Sequence, residues 1–336
     1  MTTALTSRER IWCAIRHQQP DRVPYHIAAT VPARARLAAH YGTDAIDDVI
    51  GNHLATYKTR LPYDEVRPGF WLDEWGTVWN KTIDPDIGNV DNCVLAERSL
   101  AGLFVPDPLN PRRFAGMPAW IAANPDRFRV VSLGFSLWER AWILRGMSDL
   151  MVDMVEAPQF VDELLDTILE WDLAVLREML KHDIDAVRFG DDWGQQRGLL
   201  FGHRRWQRFI KPRIAELYGL VKGAGKAVMI HSCGKVQELF PELIELGLDV
   251  FNPFQSDVMD VYEMKRLYGD RLTFYGGMSV QSLLPYGTPD QVRAEARRMM
   301  DEIGRGGGFI IAPSHDMPGD IPLENMLAFI DTVREG

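Results

Sequence analysis

Cysteine and long apolar runs are scarce in this 336-residue sequence. Its three cysteines, Cys13, Cys93 and Cys233, are too few and odd in number for a disulfide framework. No run approaches the roughly 18 apolar residues that a membrane-spanning helix needs, and residues 1–10 lack the apolar core of a signal peptide. We therefore expect a cytoplasmic protein that does not span a membrane.

Positive charge is also in deficit. The chain carries 37 Lys and Arg residues against 47 Asp and Glu residues, and it has no block of basic residues. This balance argues against a nucleic-acid-binding surface and favours small molecules or proteins as partners. The glycine spacings of dinucleotide-binding and phosphate-binding loops are missing as well. The glycines at 276–277 and 306–308 are therefore interpreted as tight turns.

Short β-rich segments alternate with helical ones through most of the chain. This alternation is typical of a parallel α/β fold, and about eight strands can be counted, the first of them at residues 24–29. No repeat, low-complexity tract or long linker divides the sequence. We therefore expect one domain that spans residues 1–336.

The amino-terminal third is less regular. A helix is predicted over residues 7–17, and residues 31–60 look helical with interruptions at two glycines. The proline-rich region 62–111 has no strong period, but a glycine-centred hairpin is predicted within it at 73–80. This region is interpreted as an insertion that shapes or covers a site.

The most informative stretch is an apolar run, Ala227–Ile230, that ends in His231-Ser232-Cys233-Gly234. Four apolar residues are too few for a buried helix and suit a buried parallel strand. Residues i and i+2 of an extended segment point the same way, so the His231 imidazole and the Cys233 thiolate can converge on one metal ion. The alternative is that Cys233 is a small core residue.

A further metal ligand is expected after the last predicted strand, at residues 308–312. His315 follows that strand, and a tetrahedral zinc site with one open position needs three protein ligands. His231, Cys233 and His315 would form a catalytic site, because structural zinc sites usually close all four positions. The alternative is that His315 only forms a hydrogen bond within its own loop.

Carboxylates near other predicted strand ends are candidates for acid–base chemistry. Asp191 and Asp192 are adjacent, so only one can face a shared pocket in an extended segment, and we prefer Asp192. The other could pair with Arg188. Glu139 is a candidate for binding substrate, although a carboxylate at a helix start also suits the helix dipole.

Further polar and aromatic residues stand at predicted strand ends. If the strands form a barrel, their carboxyl ends share one pocket, where catalytic groups collect. The remaining candidates for binding substrate there are Trp193, Asn252, Phe254 and Gln255.

Several motifs together resemble those of the uroporphyrinogen decarboxylase superfamily, and within it the corrinoid-linked zinc methyltransferases rather than the decarboxylase proper. The resemblance covers nearly the whole chain and implies a single (β/α)8 TIM barrel with an N-terminal helical extension and an insertion around 62–111. The segments that carry it are Arg8-Glu9-Arg10 through Pro20-Asp21-Arg22-Val23-Pro24, Gly190-Asp191-Asp192-Trp193-Gly194, His231-Ser232-Cys233-Gly234, Gly247-Leu248-Asp249-Val250-Phe251-Asn252-Pro253, Gly276-Gly277 and Pro322-Leu323-Glu324-Asn325.

The resemblance implies a zinc cofactor. In these methyltransferases a His-x-Cys pair and a distant Cys bind zinc; His231 and Cys233 match the pair, but His315 stands where the second Cys is expected. Replacing a thiolate with a neutral imidazole leaves one formal positive charge, which makes a stronger Lewis acid for polarising an oxygen. The arginine-rich amino-terminal motif by which the decarboxylase grips substrate carboxylates is not visible, so porphyrinogen decarboxylation is not expected.

These points favour an O-demethylase-type methyltransferase that moves a methyl group between a small methoxylated substrate and the cobalt of a corrinoid. The Asp-x-His-x-x-Gly pattern of a corrinoid-binding domain is absent, so a corrinoid (cobalamin) must arrive on a partner protein. Three alternatives stay open: thiol methylation by a methyl-corrinoid protein, metal-free decarboxylation of a small carboxylic acid, and a zinc-stabilised non-catalytic subunit. Assembly into a homodimer is also left open.

Overall fold

The computed structural model describes residues 4–336, and its main feature is a parallel sheet curled into a barrel. The strands in chain order are β1 (Leu54–Lys58), β2 (Asp64–Arg67), β3 (Phe70–Leu72), β4 (Val78–Asn80), β5 (Asn89–Val90), β6 (Phe128–Phe135), β7 (Ala186–Gly190), β8 (Gly194–Gln195), β9 (Gly198–Leu199), β10 (Ala227–His231), β11 (Val250–Gln255), β12 (Thr273–Met278) and β13 (Phe309–Pro313). The order within the main sheet is β1-β6-β7-β10-β11-β12-β13, all parallel, so sheet neighbours follow chain order as in a (β/α)8 barrel.

Helices connect the barrel strands. The α-helices in chain order are α1 (Ser7–Ile15), α2 (Val31–Tyr41), α3 (Ile46–Ile50), α4 (Met117–Ala123), α5 (Leu137–Arg145), α6 (Met147–Glu156), α7 (Pro158–Met179), α8 (His203–Arg205), α9 (Lys211–Gly223), α10 (Phe240–Glu245), α11 (Val261–Tyr268), α12 (Leu283–Tyr286), α13 (Pro289–Glu302) and α14 (Leu323–Glu335). A π-helical turn joins α8 to α9. No helix within residues 4–336 combines the length and the apolar character that crossing a membrane requires.

Residues 24–29 close the barrel between β13 and β1. On one side the His26 amide donates to the Ile311 carbonyl over 3.1 Å. On the other side the Asn52 side chain accepts from the Ile27 amide over 2.7 Å and donates to the Ile27 carbonyl over 3.0 Å. The predicted first strand therefore occupies the eighth position of the barrel, and the (β/α)8 fold is confirmed.

The two ends of the barrel differ in polarity. The amino-terminal end is filled by apolar side chains and plugged by α1, whose Ile11 and Ile15 join a buried cluster with Leu54 and Phe128. Helix α1 starts at a capping box formed by Thr6, which satisfies its first free amides. Because this end is closed by packing, the polar cavity can open only at the carboxyl ends of the strands.

Residues 54–58 form a strand, whereas the sequence pattern predicted that residues 31–60 are helical. Helices α2 and α3 end at Gly42 and Gly51, with φ of 70° and 77°, and the chain then extends into β1. Left-handed glycines of this kind are common helix stops. The β-branched and aromatic residues at the centre of β1 favour a strand, so the helical interpretation extended too far.

The paired glycines Gly276 and Gly277 are also reassigned. They lie within β12 and not in a turn, with φ of 142° and 109°. A Cβ on Gly276 would lie 2.6 Å from the Phe254 amide nitrogen, so only glycine lets β11 approach this closely. The glycines at 306–308 do lie in the turn before β13, as expected.

The insertion around 62–111 is present as a four-stranded antiparallel sheet, β2-β3-β4-β5. The predicted hairpin is formed by β3 and β4. Asp73 organises its turn by accepting hydrogen bonds from the amides of Trp75 and Thr77. Trp79 then stacks on Phe135 at the end of β6, 5.4 Å between ring centroids, which fastens the insertion to the cavity mouth.

Candidate active site

A cavity of about 410 Å³ opens at the carboxyl ends of the barrel strands. Its walls come from the strand ends and from the insertion, whose Tyr63, Asp73 and residues 85–87 form one side. A volume in this range suits a small molecule. The predicted site residues that line this cavity are Glu139, Asp192, His231, Asn252 and His315.

The structure brings His231, Cys233 and His315 together beside the cavity. Their ligand atoms all lie within 4.8 Å of one another, and the Cys233 Sγ is 3.5 Å from the His231 Nε2. Zinc–ligand distances of about 2.0–2.3 Å in a tetrahedral site place ligand atoms about 3.3–3.8 Å apart. Small side-chain adjustments are therefore enough for the three residues to hold one ion. Within residues 4–336 no other group of three His, Cys, Asp or Glu side chains meets this condition.

Asn252 fixes the tautomer of His231. Its side-chain nitrogen donates to the Tyr275 carbonyl over 3.1 Å, which turns its Oδ1 toward the His231 Nδ1 at 2.7 Å. Because an amide oxygen only accepts, the hydrogen-bond network assigns the proton of His231 to Nδ1. The Nε2 lone pair then faces Cys233 and is free to bind a metal ion.

Two backbone contacts hold the loop after β10. The Cys233 amide donates to Asp192 Oδ1 over 2.7 Å, and the Gly234 amide donates to Gln255 Oε1 over 2.6 Å. Gly234 has a φ of 88°, and a Cβ there would lie 2.4 Å from the Gln195 amide nitrogen, so glycine is required. Gln255 therefore supports the loop after β10 and does not line the cavity where it was predicted to bind substrate.

Three other predicted residues, Asp191, Trp193 and Phe254, lie behind the cavity wall. Asp191 accepts from the Glu139 amide over 2.8 Å and from the Trp193 indole over 2.6 Å. Side chains alternate along an extended segment, so turning Asp192 toward the cavity turns Asp191 away. The rings of Trp193 and Phe254 are fully buried in the core. None of these three side chains lines the cavity, so the structure places them away from the predicted contact with substrate.

Burial raises the pKa of the acids on one side of the cavity. The pKa of Glu139 lies well above its ordinary range because the group is buried and because Asp192 and Asp191 are close. Burial also raises the pKa of Asp191 to about 7. The raised pKa favours the protonated form of Glu139, which suits this residue to donate a proton.

Burial acts on the two metal-site residues of the loop as well. It lowers the pKa of His231, which keeps the imidazole neutral and able to bind a metal. Burial and the nearby carboxylates of Asp192 and Glu139 raise the pKa of the Cys233 thiol. A bound cation reverses that effect, because coordination deprotonates a thiol.

Another wall of the cavity is lined by three cations that were not predicted from the sequence, Lys58, Arg60 and Arg188. Lys58 ends a strand that was interpreted as helix, and Arg60 follows it. Arg188 was considered only as a partner for an aspartate, and the structure shows no such ion pair among the residues it describes. A charged residue in the middle of the otherwise apolar β7 was the one available signal.

Comparisons with known proteins point to one family. The family model described as uroporphyrinogen decarboxylase (URO-D) matches residues 120–336. The uroporphyrinogen decarboxylase of Actinobacillus succinogenes is 28% identical over 257 residues, which cover 73% of this chain and 69% of that protein. The methylcobamide:CoM methyltransferase MtaA of Methanosarcina barkeri is 23% identical over 187 residues, covering 56% and 52% of the two chains.

One solved structure matches almost end to end. It is a methyltransferase from Methanosarcina mazei, with a TM-score of 0.74, 18% sequence identity, and coverage of 98% of this chain and 99% of that one. At this identity the match supports the barrel fold alone.

Proposed function

This chain belongs to the uroporphyrinogen decarboxylase (URO-D) family, and we propose that it is a zinc-dependent methyltransferase acting between a small methoxylated substrate and the cobalt of a separate corrinoid protein. The observation that carries this proposal is the convergence of His231, Cys233 and His315 at the cavity. The relative MtaA, named for transfer between a methylcobamide and CoM, supports the link to a corrinoid.

The donor set fits zinc. One thiolate and two imidazoles are ligands that zinc prefers, whereas magnesium and calcium prefer oxygen ligands. Three protein ligands leave a fourth position open to substrate, as in catalytic zinc sites. A zinc ion held by these residues supplies a Lewis acid that polarises the oxygen of the methyl donor.

Glu139 and Asp192 are the proposed acid–base groups. Transfer of the methyl group to cobalt without its bonding electrons leaves an electron pair on the substrate oxygen, and that oxygen needs a proton. The Glu139 carboxyl packs against Gly190, the residue paired with His231 between β7 and β10. Because its raised pKa favours the protonated form, Glu139 can deliver that proton. Asp191 is a positioning residue, because it holds the backbone of Glu139.

The corrinoid is proposed to arrive on a partner protein at the carboxyl face of the barrel. The insertion already covers one side of the cavity, so the partner must approach from the open side. Transfer in the opposite direction, to a thiol, is the second candidate, because MtaA is named for that acceptor. That residues 1–336 act as one domain, and that the protein forms a homodimer, stay predictions.

The test uses zinc-loaded protein, methoxybenzene or 4-methoxybenzoate as donor, and cob(I)alamin as a probe for the corrinoid. We expect methylcobalamin to form, the rate to vanish on zinc removal and to return on zinc addition. A parallel reaction with methylcobalamin and 2-mercaptoethanol tests the opposite direction. Failure to bind zinc after reconstitution, or turnover that survives its removal, would contradict the proposal.

A further inference from the structure

Three cavity residues stand side by side across neighbouring strands. Lys58 of β1 pairs in register with Ser132 of β6, and Ser132 pairs with Arg188 of β7. All three line the cavity, so their side chains point to the inside of the barrel. We call Lys58, Ser132 and Arg188 the basic row. With strands about 4.8 Å apart, its two cations have Cα atoms about 10 Å apart, within reach of one small group between them.

The cations of the basic row have no partner in the protein. Among residues 4–336, neither Lys58 nor Arg188 forms an ion pair or a hydrogen bond through its side chain. Other arginines near the same cavity are paired, since Arg140 donates to Asp73 over 2.9 Å and Arg113 binds Glu74. The absence of an ion pair is therefore not shared by every cation at this end of the barrel.

The positive charges of Lys58, Arg60 and Arg188 lie close to one another and repel, which favours binding of an anion between them. Arg60 lies at the rim beside Lys58, with its guanidinium over the Tyr63 ring at 5.4 Å, and it forms no ion pair within the described residues. The cavity walls limit hydration of Lys58, and together with Arg60 and Arg188 they lower its pKa. Asp86 and Asp316 reduce the repulsion only from beyond ion-pair distance. An anion placed in the row would offset this repulsion.

The geometry of the donors favours an oxyanion. An arginine offers two parallel N–H groups that match a carboxylate, and a lysine and a serine hydroxyl can each add one donor. The row lies near the metal-site residues, because Arg188 is two residues before Gly190, the partner of His231 in the β7–β10 pairing. Strand geometry places the Cα atoms of Arg188 and His231 about 8 Å apart. One small molecule can therefore reach both places.

We propose that the basic row is an oxyanion subsite, so that the substrate is a small methoxylated acid whose carboxylate lies between Lys58 and Arg188 while its methoxy group lies at the metal site. This proposal rests on the proposed function for the role of the methoxy end. The subsite itself depends only on the cations and can be tested without zinc or turnover.

The experiment measures binding of matched probes by calorimetry. The probes are 4-methoxybenzoate, 4-methoxybenzenesulfonate and the neutral 4-methoxybenzamide, and each is titrated into zinc-loaded and zinc-free protein. The variants are Arg188→Gln, Arg188→Lys and Lys58→Met. Arg305→Gln is the control, because Arg305 is exposed at the opposite end of the barrel and forms no ion pair among the described residues.

We expect the wild type to bind the benzoate at least tenfold more tightly than the amide. Arg188→Gln and Lys58→Met should each weaken benzoate binding by about 10- to 100-fold and change amide binding less than twofold, as expected for loss of a charged hydrogen bond. Arg188→Lys should restore part of the affinity, and Arg305→Gln should have no effect. Tighter binding of the sulfonate than of the benzoate would keep the subsite but overturn the assignment to a carboxylate.

Equal affinity of wild-type protein for the benzoate and the amide would overturn the subsite. Lys58→Met keeps the test valid if substitution of Arg188 within its strand prevents folding, because Lys58 is the last residue of its own strand. The two proposals fail separately. A protein that binds no zinc but still prefers the benzoate loses the methyltransferase mechanism and keeps the subsite, whereas the reverse result loses only the subsite.

Discussion

The metal side and the basic row of the cavity differ in how their polar groups are held. The metal side, which carries His231, Cys233 and His315, has supports already in place: Asn252 fixes a ring, and Asp192 holds the Cys233 backbone. The basic row, on β1, β6 and β7, presents two cations whose side chains have no ion-pair or hydrogen-bond partner among residues 4–336. One side is organised before a ligand arrives, and the other is completed only by a ligand.

This difference separates two tasks within one cavity. Supports around a metal ligand orient it and raise its affinity for the ion, so catalytic geometry is set by the fold. Unpaired cations are costly to keep near each other, and an incoming anion removes part of that cost. We therefore expect substitutions on the metal side to abolish chemistry, and substitutions in the basic row to change which molecules bind.

The largest effect is expected from Cys233→Ala. Loss of the only thiolate should reduce zinc from about one ion per chain to background and should cost more than the roughly 10- to 100-fold that loss of an outer support costs. Elemental analysis and the methyl-transfer assay measure the two effects. Cys93→Ala is the control, because the Cys93 thiol donates to backbone carbonyls of α5 and Cys93 does not line the cavity. Full zinc occupancy in Cys233→Ala would show that Cys233 is not a zinc ligand.

A smaller effect is expected from Asn252→Ala. Without its oxygen the His231 ring loses the acceptor that fixes its tautomer, so zinc affinity should fall by about 10- to 100-fold. Competition with a chelator of known affinity measures the change. Asn252→Asp keeps an acceptor at this position and should retain most of the affinity. If both variants bind zinc as tightly as the wild type, the hydrogen bond to Asn252 does not prepare His231 for the ion, and the difference between the metal side and the basic row is lost.

The smallest effect on the cavity itself is expected from Asp172, an acid behind the cavity wall whose neutral form is favoured by burial. Asp172 accepts from the Ser136 hydroxyl over 2.9 Å, and burial raises its pKa from 3.8 to about 8. The folded protein therefore keeps a proton that the unfolded chain releases, so the free energy of unfolding should fall as pH rises from about 4 to about 8 and level off above. Asp172→Asn should remove up to about 1.4 kcal/mol per pH unit of that slope.

Denaturant unfolding at several pH values measures this slope. The exposed Asp301→Asn is the control and should leave it unchanged. Identical pH profiles of wild type and Asp172→Asn would show that Asp172 is ionised in the folded protein and would contradict this prediction.

Local patterns in the sequence predicted the metal side better than the basic row. His231 and Cys233 are two residues apart on one strand, so their convergence follows from the geometry of that strand alone. His315 needed only the expectation that strand ends meet at one face. Lys58 and Arg188 are 130 residues apart, and their alignment depends on the register of β1 and β7 with β6. No local pattern encodes that register.

The misplaced aromatic residues have a similar explanation. Position near a strand end identified Trp193 and Phe254, but which way a side chain points depends on the exact register of the strand. Strand β11 continues to Gln255, so Phe254 packs into the core and Gln255 turns to the loop after β10. The barrel itself was predictable, because the alternation of strands and helices can be recognised even when the bounds of each element are wrong by a few residues.

The most direct test of the central claim is zinc X-ray absorption spectroscopy of the wild-type protein reconstituted with one equivalent of zinc. We predict one sulfur ligand at about 2.3 Å and two imidazole nitrogens at about 2.0–2.1 Å, with a lighter exchangeable ligand at the fourth position. This result would identify His231, Cys233 and His315 as the ligands of a catalytic site. A spectrum without sulfur, or one without two imidazoles, would contradict the account.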